Sequence, residues 1–180
     1  MNQEQKARMM SKELAGHVSR LLLAQAAAEI VRESIDKLDA KILAENDFGW
    51  NTFDGKIDPS TEYSTPFCRD AKLAYLMDDE SAERYNELRK AAIADSIWFV
   101  EDPEFCPALV AENKVIDLER ELLVKSAELM DCPQLAHVYG DKRKDALRLA
   151  TDLVVSYPGF KGPSRKEIND MISQMKKGAA

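Results

Sequence analysis

Apolar side chains recur at three- and four-residue intervals through the first 45 positions: Met10, Leu14, Leu21, Ala24, Ala28, Val31, Ile35, Leu38 and Ile42, with His17 the one polar member of the line. That spacing predicts a single helix over about residues 3–45 with a coiled-coil-like seam. At 1.5 Å per residue such a helix is roughly 64 Å long, whereas a compact domain of this chain length is only about 40 Å across. The helix is therefore expected to overhang its domain or to break, and Gly16 is the interior residue that favours a break.

The pattern changes after Asn46-Asp47-Phe48-Gly49, a stop-and-turn run. Residues 46–66 read as an aromatic loop or small hairpin carrying Phe48, Trp50, Phe53 and Tyr63, with Asp54-Gly55 suited to a tight turn. The rings either cap the end of a helical core, the reading the sequence favours, or form a contact patch in which Trp50 and Phe53 bind a partner. Thr65-Pro66 reads as a cap followed by proline in the first helical turn, starting a short helix to about Met77. A helix over about 79–100 places Tyr85, Leu88, Ala92, Ser96 and Phe99 on one face. The next starts near Pro107, ends near Asp131 before Cys132-Pro133, and carries Ala108, Ala111, Val115, Leu118, Leu122, Lys125 and Leu129 at the seam spacing.

A helix over about 141–157 is expected to turn Ala146, Leu149, Ala150, Leu153 and Tyr157 inward and to stop at Pro158-Gly159. A last helix opens on a capping box from Ser164 to Glu167 and buries Ile168, Met171, Ile172 and Met175. The predicted fold is all-α: a helical bundle in which residues 1–45 form the long helix and residues 46–180 a helical domain packed against it. The stripe at Ala108–Leu129 offers the seam an internal partner, and self-association as a coiled coil is the competing use of the same surface.

Composition agrees with a folded helical chain, at 45% hydrophobic and 32% charged residues with seven glycines and seven prolines. Arg20 and Gln25 interrupt the most apolar run, so no membrane-spanning helix is expected. A polar N-terminal stretch and three scattered cysteines suit a cytoplasmic protein with reduced thiols. The net charge of -7 is uneven. Residues 1–45 carry seven charges of each sign, 46–132 nine basic against twenty acidic, and 133–180 nine basic against five acidic.

Candidate chemistry is sparse. His17 lies on the seam, where a packed or register-setting role fits and pH-sensitive assembly is the sharper option. Cys68, Cys106, Cys132 and His137 lack the close cysteine pairing of a zinc site, so no metal or cofactor is expected. A Cys132–His137 nucleophile pair has only proximity in its favour. Glycine-rich phosphate loops, paired metal histidines and nucleophile elbows are absent from the sequence, and Trp50 and Thr52 replace the acids an EF-hand needs. The chain is expected not to be an enzyme.

Charge is the remaining signal. Asp78, Asp79, Glu80, Glu83 and Glu87 form one acidic cluster; Glu112, Asp117, Glu119, Glu121, Glu128 and Asp131 form another. Glu80–Arg84 and Glu121–Lys125 are favourable four-apart pairs, whereas Glu83–Glu87 is a repulsive one. These acids are either a solvated face or a surface for a basic partner, such as a nucleic-acid-binding complex. In size and charge the chain resembles the small acidic helical proteins of phages and mobile elements that inhibit host complexes by binding them. The resulting expectation is a non-enzymatic interaction or inhibitor protein using Asp78, Asp79, Glu80, Glu83, Glu87, Trp50 and Phe53. The alternative is an oligomeric nucleic-acid-associated structural protein using Lys142, Arg143, Lys144, Arg148, Arg165 and Lys166 against phosphate.

Overall fold

The structure, a computed structural model, describes residues 2–49, 77–94 and 107–177. Over these residues the fold is all-α: α1 (Gln3–Glu45), α2 (Asp79–Ala94), α3 (Pro107–Met130), a 3-10 turn (Pro133–His137), α4 (Gly140–Val155) and α5 (Arg165–Lys177). Trp50, Phe53, the Asp54-Gly55 turn, the Thr65-Pro66 helix start, Cys68, Cys106 and the end of the helix expected to reach residue 100 lie outside the described residues.

α1 starts where Asn2 caps it. The Gln5 amide donates to Asn2 Oδ1 at 2.7 Å and the Asn2 amide donates to Gln5 Oε1 at 3.1 Å, a reciprocal box that satisfies two helix-end donors. The helix continues through Gly16, which is exposed and has open space where a Cβ would stand. It ends with the Asn46 side chain donating to the Ile42 carbonyl at 2.9 Å. Its buried line is Ser11, Leu14, Val18, Leu21, Ala24, Ala27, Val31, Ile35, Asp39 and Ile42. Against the heptad reading, Ser11, Val18, Ala27 and Asp39 replace Met10, His17, Ala28 and Leu38, which are half-buried on the flanks. A helix of 3.6 residues per turn drifts against a 3.5-residue repeat, so a straight seam cannot keep one register throughout.

The chain divides into two compact units, Met1–Ala27 with Glu112–Met171 and Ala28–Ala111 with Ile172–Ala180. In the first, Leu14, Val18, Leu21 and Ala24 of α1 pack with Leu118 and Leu122 of α3 and with Ala150 and Val154 of α4. The seam thus finds an internal partner in α3 here. Each fully buried leucine or valine contributes roughly 1.5–3 kcal/mol of transfer free energy. The inner face of α4 includes Leu147 and excludes Leu149, which is 65% exposed. Leu149 stands about 100° round the helix from Ala150, so the inner stripe lies on the Leu147 side of Ala150 and not on the Leu149 side that the spacing predicts.

α3 ends in a Schellman motif. Asp131 adopts φ +53, the Cys132 amide donates to the Ala127 carbonyl at 2.9 Å, and the Asp131 amide donates to Glu128 at 3.3 Å. After α4, Tyr157-Pro158-Gly159-Phe160 closes a turn in which the Phe160 amide donates to the Tyr157 carbonyl at 3.2 Å and Gly159 takes φ +96. Proline then glycine at the two central positions is the type II arrangement. α5 opens on the expected capping box: the Ser164 amide donates to Glu167 Oε2 at 2.8 Å, the Ser164 hydroxyl donates to the same oxygen, and the Glu167 amide donates back to Ser164 Oγ at 3.3 Å.

The second unit has Ile42, Met77 and Tyr85 at its centre, with Leu38, Leu43, Phe48, Ala82, Leu88 and Ala92 around them. Phe48 meets Tyr85 edge to face, with centroids 5.8 Å apart at 84°. The Asp39 carboxylate, on the buried line of α1, takes the Arg89 guanidinium of α2 at 2.8 Å.

Candidate functional site

Two surfaces hold charge that no other described residue balances. The first is the outer face of α2. Asp78 precedes this helix and caps it, its Oδ1 accepting from the Ser81 amide at 2.8 Å. The same corner is tied to the end of α1, because the Gly49 amide donates to Ser81 Oγ at 2.7 Å and the Asp78 amide donates to the Gly49 carbonyl at 2.9 Å. Asp78 is therefore held in the fold, half-buried, while Asp79, Glu80, Glu83 and Glu87 are exposed.

Tyr85 and Leu88 face inward, which turns Glu80, Glu83 and Glu87 outward along one line. Arg84 does not make the expected pair with Glu80. Its Nη2 donates to Asn46 Oδ1 at 3.0 Å, and its guanidinium carbon stands 5.9 Å from the centre of the Phe48 ring. Among the described residues no cation pairs with Asp79, Glu80, Glu83 or Glu87. Asp79 and Glu80 lie in the first turn, where the helix dipole favours a negative charge; Glu83 and Glu87 lie beyond it.

α3 is the contrast. Glu119 pairs with Arg143 at 3.0 Å, Glu121 with Arg20 at 3.2 Å, Asp117 with Arg120 at 3.7 Å and Glu128 with Lys125 at 3.1 Å. Lys125 thus turns towards Glu128 in place of the expected Glu121. These pairs also draw on the basic tail: Arg143 goes to Glu119, Lys144 to Asp141 at 3.6 Å and Arg148 to Asp145 at 3.1 Å. Lys142, Arg165 and Lys166 are exposed and make no ion pair among the described residues. Of the expected phosphate-binding set, half already faces a carboxylate.

The second surface lies in the first unit. Arg8, Ser11, Lys12, Ala15 and Ser19 share one face of α1 at helical spacing. Opposite them are Val154 at the end of α4 and the turn residues Tyr157, Pro158, Gly159, Phe160 and Lys161. Together they enclose a cleft of about 540 Å³ whose walls hold three cations and no carboxylate. Ser11 is 3% exposed. Its hydroxyl makes no hydrogen bond among the described residues.

The remaining reactive residues are separate from both surfaces. His17 is half-buried and its Nδ1 accepts from Arg20 Nη2 at 3.1 Å. The Cys132 thiol donates to Gln134 Oε1 at 3.6 Å at the start of the 3-10 turn, and His137 is exposed at its end. The cleft was missed in the sequence. Arg8, Ser11 and Lys12 fall on one face by spacing, but Lys161 reaches them only through the Pro158-Gly159 turn after α4. Comparison with protein-family models, with characterised proteins and with solved structures finds no match to this chain.

Proposed function

We propose that the protein is a non-enzymatic interaction or inhibitor protein that binds a basic protein surface, of the kind nucleic-acid-binding complexes present, through the outer face of α2. The observation that carries this reading is the exposure of Glu83 and Glu87 without a cation partner among the described residues, beside Asp79 and Glu80 in the same state. Like charges four apart on a helix cost a few tenths of a kcal/mol each, and Asp79–Glu83 and Glu83–Glu87 both have that spacing. A basic partner would relieve this repulsion and be steered towards it over a Debye length. The ion pairs along α3 show the contrasting solution of neutralising acids within the chain. The engagement of Arg143, Lys144 and Arg148 with carboxylates favours this reading over phosphate binding by the tail.

The test is capture of partners from lysate of the native cell by the full chain, compared with the variant Glu80→Lys, Glu83→Lys, Glu87→Lys. The expected result is a basic protein complex that the wild type captures, that the variant loses, and that about 1 M salt releases, since the Debye length is then about 3 Å. Capture of the same complex by the variant, or capture insensitive to salt, overturns the proposal.

A further inference from the structure

The basic cleft of the first unit goes beyond that reading, because it carries the opposite charge and lies on other elements. We propose that it binds a small organic phosphate: a phosphate monoester attached to an apolar body. Arg8, Lys12 and Lys161 bring three positive charges to its wall, and each lacks a carboxylate partner among the described residues of an acidic protein. Three cations exceed what a monocarboxylate balances and suit a dianion. Guanidinium and ammonium groups with hydroxyl donors match a phosphate with three free oxygens.

Ser11 is the independent observation. It is only 3% exposed, yet its hydroxyl makes no hydrogen bond among the described residues and is not sealed from solvent, so it is free to donate to a molecule in the cleft it lines. Two helical serines away from the cleft satisfy theirs within the helix: Ser34 donates to Ile30 and Ser126 to Leu122, both at 2.8 Å. Ser11 does not, and it lines the cleft. The other walls are apolar, from Ala15, Val154 and Pro158 to the Phe160 ring, and the volume of about 540 Å³ falls within the roughly 300–1,000 Å³ of small-molecule sites. The phosphate would sit among the cations and Ser11, and the organic body along that wall.

The experiment is an amide NMR titration of the full chain with three probes: phenyl phosphate, inorganic phosphate and benzoate. Phenyl phosphate is expected to shift the amides of residues 8–15 and 157–161 and to bind about tenfold more tightly than either other probe. Ser11→Ala, nearly isosteric, and Lys161→Gln, on an exposed side chain, are each expected to weaken phenyl phosphate by about tenfold, the value of one charge-assisted hydrogen bond. Absence of shifts in those two segments overturns the proposal, as does equal affinity for benzoate, equal affinity for inorganic phosphate, or unchanged affinity in both variants. Displacement of phenyl phosphate by an equal concentration of a short single-stranded oligonucleotide overturns the small-molecule assignment in favour of nucleic-acid phosphate.

Discussion

Asp39 Oδ1 and Arg89 Nε meet at 2.8 Å across fifty positions of sequence, and the pair joins α1 to α2 with the Asp39 side chain 1% exposed and that of Arg89 12% exposed. An acid occupies a place on the buried line of α1 where heptad spacing puts Leu38. Removing a charge from water costs several kcal/mol, and such a pair recovers that cost only while both partners are present. Its consequence is directional: it sets how α2 is placed along α1, whereas apolar contacts between Ile42 and Tyr85 would tolerate small slips.

Arg89→Met is therefore expected to destabilise the protein by about 3–5 kcal/mol by leaving Asp39 as a buried, uncompensated charge. The double variant Asp39→Leu, Arg89→Met is expected to be more stable than this single variant, because no charge remains to be buried. Urea unfolding followed by circular dichroism measures both. A single-variant cost below about 1 kcal/mol would show that the pair is solvated in solution.

Gly49 stands where a side chain cannot. A Cβ built there overlaps the Asp78 carboxylate that caps α2. Gly49→Ala must displace this cap, at an expected cost of about 1 kcal/mol. In a variant that already carries Asp78→Ala there is no carboxylate to displace, so the two losses are expected to be less than additive. Additivity in a double-mutant cycle by urea unfolding would mean that the clash is relieved elsewhere.

The capping box at the start of α5 gives a pH dependence with a defined sign. Hydrogen bonds from the Ser164 hydroxyl and then from the Ser164 amide hold the Glu167 carboxyl below its ordinary range. A carboxylate with a depressed folded-state pKa contributes stability that is complete above its unfolded pKa and is lost as pH falls through the folded one. Amide exchange at Glu167 and Ile168, corrected for its intrinsic pH dependence, is expected to lose protection as pH drops below the ordinary glutamate range. Glu167→Gln should flatten this trend, and an unchanged profile in that variant would place the titration elsewhere.

The elements were legible because their signals are local. The break at Asn46-Asp47, the stop at Cys132-Pro133 and the box from Ser164 to Glu167 each act within one helical turn, and α1, α3 and α5 start or end where these residues put them. The register of burial was less legible. Met10 or Ser11, and Leu38 or Asp39, are neighbours on the same flank, and the choice depends on what packs opposite. The partner of a charge was least legible. Arg84 reaches Asn46 and Arg20 reaches Glu121 across helices, so four-apart spacing identifies neither the contact of Arg84 nor the partner of Glu121. The basic cleft was hidden for the same reason, since its third cation arrives through a turn remote in sequence from α1.

Two left-handed residues make a last, opposed prediction. Asp131 at φ +53 ends α3 in a position that glycine usually fills, while Gly159 at φ +96 turns the chain after α4. An L side chain in that region costs about 1–2 kcal/mol, and glycine forfeits about 0.5–1 kcal/mol in backbone entropy. Asp131→Gly is therefore expected to stabilise the protein by about 0.5–1 kcal/mol, since its Schellman hydrogen bonds involve only backbone atoms. Gly159→Ala meets no neighbouring atom, so its expected net loss of about 0.5–1 kcal/mol, left-handed strain less the backbone entropy regained, is conformational alone. Urea midpoints moving in opposite directions, with unchanged m-values, would confirm both assignments. A destabilising Asp131→Gly would mean that the aspartate side chain contributes more at that corner than the backbone strain it imposes.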